Sequence, residues 1–285
     1  MRVSATESSL LLWVLGAMVI LMAASVCMGW IRQAQLNPSF RENWLACVIA
    51  SAALGTGLSG AIVLALGAEA LPFPVGYRYR DVPLLWAGAI LGCLPAMAWL
   101  GLSQRWFAVV LSGMWFGVLA FALQMGWINA IGFRPGLQWR DAFLVAAAVL
   151  MVMGFTLAFW LGFSEASRVG QRRMLWRVGS SVLLGLTVVA GQEVLLSGSS
   201  MLGQVGSVYR LQVPSPVLCL VFGVVVPLVY LVALFDLRML RSHQRRTRRR
   251  EARSARPDAR STLSGAAVST SAAPLNPPDT ASAPR

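Results

Sequence analysis

Few side chains in this chain can do chemistry, and those that can lie in apolar surroundings. Gln124, in Leu123-Gln124-Met125-Gly126, and the pair Gln192-Glu193 are the strongly polar residues well inside long uncharged stretches. A primary amide both donates and accepts, so each Gln suits either an interhelical hydrogen bond or a ligand site. A Glu inside a membrane crossing is a functional-site candidate by default, whereas at the interface it is simply solvated. The lone His, His243, stands among Arg residues near the C-terminal end. No imidazole is therefore left in the apolar part for base catalysis or metal binding. The four Cys (Cys27, Cys47, Cys93 and Cys219) form no CxxC pair and read as small buried residues rather than a zinc site or disulfide framework. HExxH, GxSxG, a P-loop and paired intramembrane carboxylates are all absent. The expectation is a protein with no catalytic residue, no metal and no cofactor.

The elements that position these residues follow from composition. Of 285 residues, 57% are apolar and 12% charged, about half the charge of a soluble domain. Apolar windows cover 8–31, 43–68, 82–104, 106–133, 142–164, 178–196 and 211–235, all uncharged except the sixth, which holds Glu193 near its end. Each is close to the ~20 apolar residues that one helical crossing needs, and only helices satisfy their own backbone in lipid. The first window exceeds the h-region of a signal peptide and reads as a retained helix. The fold class is all-α: a polytopic bundle of about seven transmembrane helices over 1–240, with a disordered cytoplasmic tail over 241–285.

All 24 basic residues are Arg, and ten lie between Arg238 and Arg260. The net charge of +13 therefore describes mostly the tail. Its Arg-rich part includes Arg245, Arg246, Arg248, Arg249 and Arg250 and adjoins the last crossing. Attraction to anionic lipid headgroups, roughly 1 kcal/mol per Arg near the surface, would hold it at the membrane. A topology anchor and a docking segment for an acidic partner both fit; nucleic acid does not. Loop Arg residues are almost evenly divided, so the tail decides orientation: C-terminus in the cytoplasm, N-terminus outside.

Local signals mark boundaries and contacts. Asp81 before Pro83, Asp141, and Ser215-Pro216 are helix starts, and Pro227 predicts a kink. Gly113 with Gly117, and Ser51 with Gly55, are small residues at fourth positions that allow close helix packing. Tyr79, Trp139 and Tyr209, with Trp127 and Trp30, read as interfacial aromatics. An internal repeat is also present. Tyr79-Arg80-Asp81, Trp139-Arg140-Asp141 and Tyr209-Arg210 each precede a crossing, which gives a leader helix plus three two-helix units.

Gly55-Thr56-Gly57, then Ala61-Ile62-Val63-Leu64, then Leu71-Pro72-Phe73-Pro74-Val75-Gly76-Tyr77 follow in order. Phe116-Gly117 leads to Leu123-Gln124, and Leu184-Gly185 leads to Gly191-Gln192. Over residues 40–200 the chain resembles the MHYT family of bacterial seven-helix integral membrane sensors. That resemblance implies three motif copies near the outer membrane face and residence in the bacterial inner (cytoplasmic) membrane. It also implies a proposed metal site built from the motif His and Met residues. The motif His positions fall on Ile62, Gln124 and Gln192, and the flanking Met positions on Ala61, Leu123 and Gly191. Ile cannot ligate and Gln is a poor ligand for a soft metal, so the chain reads as a degenerate member. Family members often carry an output domain after the last helix. The 45 or so residues here are too few for one, so the expected function is a sensory or signalling module acting through a partner membrane or cytoplasmic protein. Alternatives are a structural or accessory membrane subunit that has lost sensing and, less well supported, a small-solute transporter.

Overall fold

A computed structural model describes residues 10–36, 40–68, 76–103, 105–131, 133–134, 137–163, 172–201, 206–207, 212–236 and 239. The chain divides into the compact units Met1–Phe235 and Asp236–Arg285, and nearly all described residues belong to the first. The tail arginines Arg245, Arg246, Arg248, Arg249 and Arg250 lie outside the described residues, as do Tyr209 and Arg210.

Among the described residues seven helices are long and apolar enough to cross a membrane. They are α1 (Leu10–Leu36), α2 (Phe40–Ala68), α3 (Asp81–Leu102), α4 (Trp106–Ala130), α5 (Asp141–Phe163) and α6 (Arg172–Ser197), followed by α7 (Ser215–Asp236). This is the expected helical membrane architecture, with instructive differences at the ends. α1 continues past residue 31 through Arg32, and α6 begins at Arg172 rather than 178. The bilayer limits the apolar window, but a helix can keep its backbone paired beyond the hydrocarbon. α7 starts at Ser215 rather than 211, because Gln212–Pro214 is extended. Pro216 then occupies its first turn, where a missing N–H costs nothing. The irregularity expected at Pro227 takes the form of a π-helical turn over Val221–Val225. Val226 N–H reaches back five residues to Val221 O, which widens the helix just before the proline that cannot donate.

Helices α2, α4 and α6 contact one another at the centre. α3 packs against both α2 and α4, and α5 against both α4 and α6. α1 lies against α2 and α6, and α7 against α2 and α1. The three two-helix units are thus arranged around a common interior, and the leader helix takes part of the place that a strict repeat would give to the last helix. α2 is the most enclosed helix. The outward faces stay apolar, with Val145, Val149, Met153 and Leu157 exposed in a row along α5. In a polytopic membrane protein lipid covers such a face. Exposed Trp44, Trp99, Trp106 and Trp160 gather where α2 and α4 begin and α3 and α5 end, as an interfacial belt requires.

Small residues set the seams, as their spacing predicts. A Cβ on Gly113 would lie 2.6 Å from Thr156 Cα, and one on Gly117 would collide with the Val152 backbone. On the next seam a Cβ on Gly55 would lie 2.7 Å from Ile90 Cα, and Ser51 Oγ donates to Ile90 O at 2.6 Å. Ser180 Oγ to Ala158 O (2.7 Å) and Tyr230 Oη to Ala53 O (2.6 Å) add further interhelical bonds.

Short strands join the segments at the ends of α2, α4 and α6. β1 (Gly76–Arg78) pairs with β6 (Gln212–Pro214), β2 (Phe133–Arg134) with β5 (Gly206–Ser207), and β3 (Leu137–Trp139) with β4 (Ser199–Met201), all antiparallel. Arg140 N–H to Gly198 O at 3.1 Å carries the last ladder up to the start of α5. The segment after α6 thereby stitches the other two together and caps this end of the bundle.

Candidate functional site

Ile62, Gln124 and Gln192 stand about one and a half turns before the ends of α2, α4 and α6, at Ala68, Ala130 and Ser197. All three point inward: Ile62 and Gln192 are 0% exposed and Gln124 is 1% exposed. The central helices therefore bring the three positions to a similar depth beneath the cap, as three equivalent helix–loop–helix units would.

The two amides differ in what they find there. Gln124 Nε2 donates to Val188 O on α6 at 3.1 Å, the interhelical bond that its type suggested. Its Oε1 has no partner, and both polar atoms of Gln192 have none. Val188 precedes Gln192 by one turn on α6, so the two amides lie at neighbouring levels of the bundle. A buried primary amide without partners is disfavoured by several kcal/mol in apolar surroundings, and in native proteins such groups are exceptional. Glu193 is half-buried and, one residue on, lies about 100° around the helix from Gln192. It is separate from the fully buried pair.

Trp127 corrects the sequence reading. It is 0% exposed, not an interfacial aromatic. It sits three residues after Gln124, on the same face of α4 and turned toward the interior. Its ring meets Tyr77 edge-on at 5.7 Å and Phe222 edge-on at 6.5 Å. Trp127 Nε1 and Tyr77 Oη are buried without hydrogen-bond partners, and so is Ser59 Oγ on α2. Ser215 approaches the Tyr77 hydroxyl without completing a hydrogen bond; burial is the main cause that holds the Tyr77 pKa well above its ordinary value. The spacing Gln124–Trp127 was the signal that could have placed this Trp inside. Tyr77 closes the Leu71–Tyr77 loop motif, but its inward turn depends on the β1–β6 pairing, which spacing does not reveal. Trp139 is half-buried and Tyr79 exposed, in keeping with an interfacial position. Trp30 is half-buried, and its indole N–H is enclosed and unpartnered.

Phe222 ties this polar node to α7. It lies in the π-helical turn, and a Cβ on Gly60 of α2 would lie 2.9 Å from it. Contacts thus run from Gln124 through its helix to Trp127, across to Phe222, and along α7 to Tyr230, which is clamped on Ala53.

Among the described residues no group of three or more His, Cys, Asp or Glu could hold a metal. The four thiols are free, and Cys27 Sγ donates to Met97 Sδ at 3.4 Å. No known protein family, characterised relative or solved structure matches the chain. The fold and the inward node define a multi-pass helical membrane protein.

Proposed function

We propose that this chain is a membrane-embedded sensory module of the MHYT type that acts through a partner protein, with its capped end facing out of a bacterial inner membrane. The observation that carries this reading is the buried node of unpartnered polar groups at the motif-equivalent positions, in contact with α7 through Trp127 and Phe222. Packing alone gives no reason to retain Gln192, because an apolar side chain of its volume would be accommodated at lower cost. Occupancy of the node changes the environment of Trp127. Phe222 passes that change to the π turn, where an extra residue is held in one helical turn. Closing such a turn to regular α geometry shifts the rotation of everything beyond it, so α7 is suited to deliver the change to its far end. The MHYT resemblance supports the three-unit layout, but Ile62 and the two Gln replace its metal-binding side chains.

In-membrane crosslinking followed by identification of the captured proteins is the first test; a specific partner is expected. With a partner in hand, Phe222→Leu keeps an apolar side chain but removes the ring and its edge contacts with Trp86 and Trp127, at a cost of about 1–3 kcal/mol of stability. It should reduce the stimulus response several-fold while insertion and partner capture remain. Repeated recovery of the protein alone, or a full response in Phe222→Leu, overturns the reading in favour of an accessory subunit held only by packing.

A further inference from the structure

Two adjoining hollows lie at the end of the bundle opposite the cap, and their linings differ in kind. One, of about 400 Å³, lies where α1, α3 and α5 end and α4 begins, and Arg32, Gln35 and Ser103 form its polar wall. The other, of about 260 Å³, runs deeper, where Ala24 and Met28 of α1 face Phe159 of α5 and Leu184 of α6. Phe163 borders both. Gly162 borders the first, and a Cβ placed on it would lie 2.8 Å from Ser180 Oγ and 3.3 Å from Met28 Sδ, in the wall of the second. The crevice exists because α1 and α5 both pack on α6 with little direct contact of their own.

The deeper space offers a guest nothing polar. Ser180 and Cys27 line it, but Ser180 Oγ is committed to Ala158 O at 2.7 Å and Cys27 Sγ to Met97 Sδ at 3.4 Å. An enclosed water needs two or more polar partners, so this space favours hydrocarbon. The outer space is the reverse. Arg32 is half-buried, and none of the described lining residues is acidic. A guanidinium carries five N–H donors in a planar fork, enough to hold a phosphate alongside a protein partner. Exposed Trp99, Trp106 and Trp160 mark this level as the membrane interface. Ala24 precedes Arg32 by eight residues on α1, roughly 12 Å along the axis. The lining thus changes from cationic at headgroup depth to apolar further in.

We propose that this crevice holds one anionic phospholipid of the surrounding leaflet, with its phosphate on Arg32 and part of one acyl chain in the apolar space. Basic pockets between crossings recognise anionic headgroups in this way. A zwitterionic lipid brings an ammonium beside Arg32, and a free phosphate leaves the apolar space unfilled. The site lies at the far end from the Gln124–Gln192 level and does not depend on the sensory reading.

Native mass spectrometry of the full chain in detergent micelles tests it by counting lipids retained per chain. The probes are phosphatidylglycerol, phosphatidylcholine with the same acyl chains, and glycerol phosphate, a head without chains. One phosphatidylglycerol should be retained saturably, phosphatidylcholine about tenfold more weakly, and glycerol phosphate not at all. Arg32→Gln should weaken phosphatidylglycerol about tenfold, through loss of charge-assisted hydrogen bonds. Arg105→Gln, which removes an exposed Arg at the same end that lines neither space, should leave it unchanged. Met28→Trp, which fills the apolar space, should weaken it as well and gives the readout if Arg32→Gln fails to fold; each variant must elute as the parent does. Equal retention of the two lipids, or an equal loss in Arg105→Gln, overturns the proposal. Retention that survives both Arg32→Gln and Met28→Trp belongs to the tail arginines and overturns it too. Glycerol phosphate held as tightly as the lipid would make this a site for a soluble phosphate, which also overturns it.

Discussion

The two ends of α4 are built on opposite principles. Toward α5, Gly113 and Gly117 bring two backbones so close that no Cβ fits between them, and that seam is dry. Near the cap the same helix presents Gln124 to α6 and Trp127 to Tyr77 and Phe222, each with a hydrogen-bonding atom unmet. In lipid, helices gain little from hydrophobic burial against each other, so close van der Waals packing supplies the hold. The first end is optimised for that hold, and the second gives stability away. The difference separates the part of the molecule that keeps it assembled from the part that does not.

The largest expected effect lies at the dry seam. Gly117→Leu forces α4 and α5 apart by the width of a side chain, and overpacking against backbone costs about 3 kcal/mol or more. Loss of monodisperse protein after detergent extraction is the predicted result. Normal yield with an unchanged melting point would refute the close approach of Gly117 to Val152.

The opposite sign is expected at the polar end. Gln192→Leu replaces an unpartnered amide with an apolar group of similar size and should stabilise the protein by about 1–3 kcal/mol. Thermal unfolding in one detergent, compared with the parent, reads this directly. A clear loss of stability would assign Gln192 to packing and blur the contrast between the two ends.

The smallest effect concerns Tyr77 and pH. Burial raises its pKa in the folded protein above the ordinary value of 10.0, so the folded state retains a proton that the unfolded chain releases. Its contribution is fully present below pH 10 and declines as pH rises beyond it. Tyr77→Phe should flatten that alkaline decline and leave stability at neutral pH equal or slightly higher, because an unpartnered hydroxyl is removed. A parent and variant with identical alkaline profiles would place Tyr77 in contact with solvent.

Much of this was legible in the residues alone. Length, apolarity and Arg placement identify seven crossings, since lipid imposes a nearly fixed window on each. Gly113, Gly117, Ser51 and Gly55 announced their seams because small residues at fourth positions have few other uses. Gln124 and Gln192 stood out for the same reason: polarity inside a crossing is expensive. Trp127 was misplaced because an indole near the end of a crossing suits the interface and the interior equally well, and only the Tyr77 and Phe222 rings decide between them. The start of α7 at Ser215 was half visible, as Ser-Pro marks it, but the window from 211 was apolar enough to hide a strand. Above all, the pairing of β1 with β6 joins segments far apart in sequence, and two- or three-residue strands carry almost no periodicity to betray their partners.

That pairing also sets a timetable for assembly. β1 emerges between the second and third crossings, yet its partner is delivered only once the sixth crossing is in place and the seventh is about to begin. During synthesis the edge of Gly76–Arg78 therefore waits, unpaired, for most of the chain to be threaded. The cap can close only as the last crossing begins, and the node beneath it is complete only when that crossing delivers Phe222.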